Sequence, residues 1–356
     1  MKRLFLMTAV CIINLASLIE GAYGLPWPPE IDVYYIKFNY QSGYSYDALT
    51  LKKNNSTYIQ VPEWLSGSRN EKIGYIESQS NRRIKVKFWV DRQGFDSMLI
   101  YAEKVGQGDG IGDVIEKEVM FDGSQYSSPA VMRCDGSVPG SVGIRSFSWR
   151  WYVLEIDGQL FQGSPLWIGD TGPHEYYTVL AAPQNPMSEP WTQVLDYACD
   201  WASGTTSEYS ALRRVTQHAY YDLNKSYDGS RTHTNGTSFN LTAFFNDNWA
   251  DCQDMSAVIH VFTRAIGGDE TEVRKIWGQF YTKKIDPIGN GEDWQIMLWN
   301  FHQVGWNLNV YDACVRLDPD NPRIPVNEDI NESYKSDLFD HGYWNPDTPF
   351  NYTNVY

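Results

Sequence analysis

The apolar positions change period once along the chain, at the proline-rich joint "APQNPMSEP", residues 182–190. Five segments before it are rich in aromatic and β-branched residues: "DVYYIKFNY" from Asp32, "RRIKVKFWV" from Arg82, "SMLIYAEKV" from Ser97, "RSFSWRWYVLEIDG" from Arg145 and "HEYYTVLAA" from His174. They partly alternate apolar with polar, and Gly, Asn, Asp and Ser separate them. Period two puts successive side chains on opposite faces, as in half-buried strands. The pattern predicts an antiparallel β-sandwich. After the joint the period becomes helical. Pro190 opens a helix with Val194, Leu195, Ala198 and Ala202 on one side, and Gly204 ends it. A second helix carries Ala211, Leu212, Val215 and Ala219, and a polar loop over residues 224–240 follows. In "DCQDMSAVIHVFTRAIGG", Met255, Val258, Ile259, Phe262 and Ile266 fall on one face, and Gly267 and Gly268 end the helix. "NFHQVGW" and "NVYDACVRL" then read as two strands joined by a tight turn near Asn307 and Leu308. The fold class expected is α+β.

The chain ends add to this organisation. Met1-Lys2-Arg3, the apolar run that follows and "EGAYG" make an export signal over residues 1–24. The expected units are then a β-sandwich over 25–185, a second unit over 186–325, and an acidic, aromatic, solvated tail over 326–356. No later stretch is apolar enough to span a membrane, and the mature protein is expected outside the cytoplasm. The net charge of −15 argues against nucleic acid or anionic lipid partners, which need basic surface. Seven N-x-S/T sequons, at Asn54, Asn55, Asn224, Asn235, Asn240, Asn331 and Asn351, are glycan sites in a eukaryote and polar loops in a bacterium. The pattern leaves oligomeric state open.

Cys252 carries the candidate chemistry. It stands at the start of a helix, where unpaired N–H groups and the positive dipole end stabilise a thiolate. A cysteine nucleophile also needs an imidazole and a polar group to orient it. Folding the strand pair about Asn307 sets His302 opposite Asp312, with Cβ atoms about 4.5–5.5 Å apart on one face. Asp318, in "RLDPD", competes with Asp312 as third member. The bland alternative pairs Cys134, Cys199, Cys252 and Cys314 as disulfides, which export favours. His174 and His233 read as loop or strand-edge residues, and His218 and His260 as core-edge ones. "VGQGDGIGDV" reads as a turn, or as a surface cation site at Asp109 and Asp113. A calcium ion on Glu332, Asp337 or Asp340 is the lesser alternative to a solvated tail.

Over residues 190–320 the sequence resembles the transglutaminase-like superfamily. The carrying residues are Cys252, Asp254 and Ser256 in a C-x-D-x-[AS] phrase, then Arg264-Ala265-Ile266-Gly267, then His302 in "HQVGW" and Asp312 in "VYDAC". The resemblance implies a papain-like α+β core with Cys252, His302 and Asp312 as catalytic residues. It implies acyl transfer or hydrolysis on protein or peptide amides, with no cofactor and no metal. Gln253 or Trp249 would assist the oxyanion. The rivals are a cell-wall cysteine peptidase, whose usual C-x-G start Asp254 interrupts, and a non-catalytic extracellular binding protein with its cysteines bonded.

Overall fold

A computed structural model describes residues 28–41, 43–106, 110–161, 164–289 and 295–356. The export signal and Asp109 lie outside the described residues. The architecture is α+β. Period-two burial builds the first half. In β2 (Arg83–Val90), Ile84, Val86, Phe88 and Val90 point inward while Arg83, Lys85, Lys87 and Trp89 alternate outward. β2 pairs antiparallel with β1 (Ile31–Lys37) and with the short strand Ala130–Arg133. A second sheet runs β4 (Val114–Met120), β3 (Ser97–Val105), β5 (Gly143–Ile156), β6 (Leu166–Val179), then Ile73–Ile76, which joins β6 in parallel. The inward residues of both sheets form one apolar cluster. Phe38 stacks on Trp149 at 6.0 Å, and Phe88 meets Trp151 edge-on at 5.5 Å. The indole N–H groups stay satisfied: Trp149 donates to the Gly112 carbonyl and Trp151 to Thr171 Oγ1.

The second half gathers around one helix. α1 (Thr192–Trp201), α2 (Glu208–Asp222) and the short α3 (Leu241–Asn246) precede α4 (Cys252–Ala265). A mixed-length antiparallel sheet has β8 (Leu298–Asn307) between β7 (Glu272–Thr282) and β9 (Asn309–Tyr311). α4 lies on β8, and α1 and α2 pack against its other sides. The apolar spacing predicts one buried face for this helix. Twelve of its fourteen residues are buried, because sheet and helices enclose it.

The sequence pattern misses one strand, and one expectation fails. β7 escapes the pattern because its ladder shifts between Trp277 and Phe280, which breaks the alternation. The shift sits at Gly278, whose φ is +130° and where an added Cβ would lie 2.0 Å from the Tyr343 carbonyl. The tail is not a solvated appendage: Ile330, Tyr334, Leu338 and Tyr352 are buried in the second apolar cluster. Residues 339–342 and 345–346 pair with β7.

The seat of α4 on β8 depends on Gly305. A Cβ there would meet Ile259 Cγ2 at 2.7 Å and the Tyr311 carbonyl at 3.0 Å. Gly305→Ala is expected to cost about 1–3 kcal/mol by overpacking. Urea unfolding should show a lower midpoint with an unchanged slope; an unchanged midpoint would mean that the helix does not sit this close.

Candidate active site

The first turn of α4 is polar and buried. The Asp251 side chain accepts the Asp254 N–H at 2.9 Å, and the Asp254 carboxylate accepts the Asp251 N–H at 3.2 Å. This reciprocal capping box satisfies donors that water cannot reach. Asp254 also accepts from the His233 backbone N–H, from His233 Nδ1, both at 2.8 Å, and from the Thr232 hydroxyl. His233 Nε2 reaches Asp247 at 2.9 Å, and the ring stacks on Trp249 at 3.9 Å. The loop residue of the sequence reading is thus a buried bridge between two carboxylates. Burial alone would lower its pKa. Asp254 and Asp247 outweigh burial and raise it.

Cys252 is the first residue of α4 and is 5% exposed. The helix start was expected to lower its pKa. Burial instead raises it well above the ordinary thiol value, and Asp251 adds to the rise. The Gln303 backbone N–H, directed at the thiol, and Lys275 oppose this without reversing it. Cys314 is buried nearby, and its thiol is raised by burial first, then by Asp312 and Cys252. All four described cysteines are free, so no disulfide occupies Cys252.

His302 is fully buried on β8, next to Gln303. Its Nε2 lies 2.9 Å from Asp312 Oδ2. The same oxygen accepts the Tyr334 hydroxyl at 2.7 Å, and Asp312 Oδ1 accepts the Cys314 N–H at 2.8 Å. With Nε2 donating to a carboxylate, the neutral ring keeps its lone pair on Nδ1. Nδ1 is buried and has no hydrogen-bond partner, so imidazole and thiol are not bonded to each other in this state. Trp299 lies against the ring at 4.2 Å, and its own Nε1–H is also buried without a partner. Tyr227 stacks on Trp299 at 6.4 Å, and its hydroxyl is in electrostatic contact with Cys252, Cys314 and Asp312.

The register that suggested His302 and Asp312 needs correction. The turn centres on Leu308, not Asn307: Asn307 pairs with Asn309 and Gly305 with Tyr311. Continued, that register sets Cys314 opposite His302. The chain leaves the ladder after Tyr311, and Asp312 reaches His302 from outside it. Asp318 faces Arg323 at 3.9 Å instead. Gln253 is engaged with Asp251 and Lys275, and Trp249 with His233. His260 is buried and donates its Nδ1–H to the Thr271 carbonyl at 2.8 Å, and burial lowers its pKa to about 4. His174 sits among Phe38, Phe147 and Trp149, lowered by burial to about 3. Among the described residues no cluster of three or more His, Cys, Asp or Glu is suited to a metal. Asp337 is paired with Arg323, and Asp340 with His341.

The His233 bridge makes a pH prediction. A histidine whose pKa is raised on folding stabilises the fold fully below its unfolded value of 6.5, and loses that contribution as pH climbs through the raised folded value. Thermal unfolding of the native chain and of His233→Gln should therefore differ most near pH 6. The gap should narrow on moving to alkaline pH. A gap independent of pH would mean that the bridge is uncharged.

No protein-family model matches the chain, and no curated protein sequence matches it. Among solved structures, a crystal structure of red sea bream transglutaminase is similar over 71% of this chain, with 9% sequence identity and a TM-score of 0.31. The chain spans half the length of that protein. The structural relationship is weak. No helix among the described residues is long and apolar enough to cross a membrane.

Proposed function

We propose that this protein is an exported cysteine enzyme that transfers or hydrolyses acyl groups of protein or peptide amides through Cys252, His302 and Asp312. The observation that carries the reading is the buried His302–Asp312 pair with its free Nδ1, on the residue adjoining the Gln303 amide that faces the Cys252 thiol. The sequence motifs C-x-D-x-S, "HQVGW" and "VYDAC" favour a transglutaminase-like unit over 186–325. The two sheets over a common core are read as a β-sandwich over 25–185.

The raised thiol changes the mechanism from the one its helix position suggests. Cys252 rests as a neutral thiol. As Sγ attacks the carbonyl carbon of a carboxamide, His302 Nδ1 takes the thiol proton, and Asp312 holds the imidazolium that forms. The carbonyl π pair moves to oxygen. The Cys252 backbone N–H and the unpartnered Trp299 Nε1–H are the donors available to it. The C–N bond then breaks, His302 returns its proton to the departing amine, and a thioester remains. Water or a second amine, deprotonated by the same imidazole, releases the acyl group.

The test follows ammonia release from glutamine peptides and incorporation of a fluorescent primary amine into a glutamine donor. Cys252→Ala is expected to abolish both, and His302→Ala to lower kcat/KM about 10²–10⁴-fold. Full activity in Cys252→Ala would overturn the assignment. A separate prediction concerns the resting thiol. Its alkylation by iodoacetamide should accelerate only at pH above the range in which an ordinary thiol deprotonates. Rapid labelling near pH 6 would establish a resting thiolate and refute the general-base route.

A further inference from the structure

Net charge is a sum and hides where cations sit. The chain carries −15, yet the outward face of the sheet built on β1 and β2 gathers Lys37, Arg83, Lys85, Lys87 and Arg133, against one outward acid on those strands, Asp32 near the far end of β1. β2 turns Arg83, Lys85 and Lys87 to the same side. The register sets Lys37 directly opposite Lys85, and Arg83 directly opposite Arg133. Like charges at opposed positions, about 4.5–5.5 Å apart at Cβ, destabilise a sheet. Tyrosine rings hold these cations in place of carboxylates: Arg83 rests on Tyr46 at 4.5 Å, Lys85 on Tyr40 at 4.7 Å and Lys87 on Tyr126 at 5.0 Å. Asp47, in electrostatic contact with Lys85, is an acid buried behind the face. A cavity of about 270 Å³ opens where Arg83 and Arg133 meet Lys117, with Glu116 on its wall.

We propose that this face binds an anionic polysaccharide, one bearing sulfate or uronic acid groups, independently of the Cys252 chemistry. Repulsion between opposed cations is relieved when a polyanion lies across them. The cations repeat about every 7 Å along β2, twice the rise per residue, and extend across three strands. A flexible chain with a charge on every one or two sugars can follow that array. The partly exposed tyrosines between the cations offer ring faces to the C–H side of sugar rings. A duplex nucleic acid, with a charge about every 1.7 Å, is far denser in charge than the roughly 7 Å repeat of cations along β2.

The probes are heparin and polygalacturonate, with dextran as the neutral control and titration calorimetry on the full chain as readout. Binding is expected to one or both anionic polymers, weakening as salt is raised. Lys85→Glu with Lys87→Glu should lose about tenfold or more in affinity. Lys284→Glu, an exposed cation in the second half, should change nothing. If charge reversal disturbs folding, Lys85→Gln with Lys87→Gln, checked by circular dichroism, is expected to show the same loss in a folded chain. Failure to bind either polymer, or equal binding by the patch variants, would overturn the proposal. So would tighter binding of single-stranded DNA or phosphatidylserine vesicles to the same face.

Discussion

The second half of the molecule depends on a helix that begins with charge and is closed off from water. α4 is buried along nearly its whole length, so its first-turn N–H groups and its two acids must find partners inside the protein. Asp251 and Asp254 satisfy each other's backbone. The charge left over is met by His233, which is itself shared with Asp247 and laid on Trp249. Each partner comes from a different segment. The loop over 232–234, the end of α3 and the strand before α4 are therefore tied to one point. The far side of the helix follows the same logic. The Gln303 amide side chain donates to Ser256 of α4 and to Tyr352 of the tail, so three separate segments share one buried polar knot.

That enclosure sets the chemistry. A helix N-terminus favours a thiolate when water or a cation supports it, but dehydration of a buried sulfur acts in the opposite direction and is the larger effect here. The dipole is further spent on the capping box, and Asp251 stands beside the thiol as a competing negative charge. In the proposed mechanism activation then falls to the imidazole. Its Nε2 is fixed by an Asp312 carboxylate that also receives the Tyr334 hydroxyl and the Cys314 amide. The only unspent acceptor on the ring is Nδ1. Orientation of the proposed base thus comes from the segment after β9 and from the tail as well as from β8.

What the sequence made legible was local. Period-two alternation in "RRIKVKFWV" and helical spacing from Met255 to Ile266 each describe one element packing one way, and both elements form where expected. The pairing of His302 with Asp312 was found through a register that the structure replaces. The turn sits on Leu308, a residue that rarely takes a positive φ, with φ +57°, while asparagines stand on either side. β7 was hidden because a ladder shift puts Trp277 and Phe280 out of alternation. The tail was hidden because a few dispersed apolar residues, among them Tyr334 and Tyr352, do the burying. His233 had no local signature: its carboxylates lie fourteen and twenty-one positions away. Sequence spacing reports the neighbours of an element, not the partners of a buried charge.

Burial also reconciles free thiols with the proposed export. Outside the cytoplasm cysteines tend to pair, and the reacting species in both disulfide exchange and oxidation is the thiolate. Cys134, Cys199, Cys252 and Cys314 are all buried, and dehydration raises every one of them above the ordinary thiol value. Such sulfurs present almost no thiolate to solvent oxidants. The property that denies Cys252 a resting ion pair therefore also protects it. A nucleophile kept neutral until an imidazole removes its proton pays in resting reactivity and gains persistence in an oxidising medium. The neighbouring Cys314 can remain reduced on the same terms, since neither sulfur supplies the anion that would attack the other.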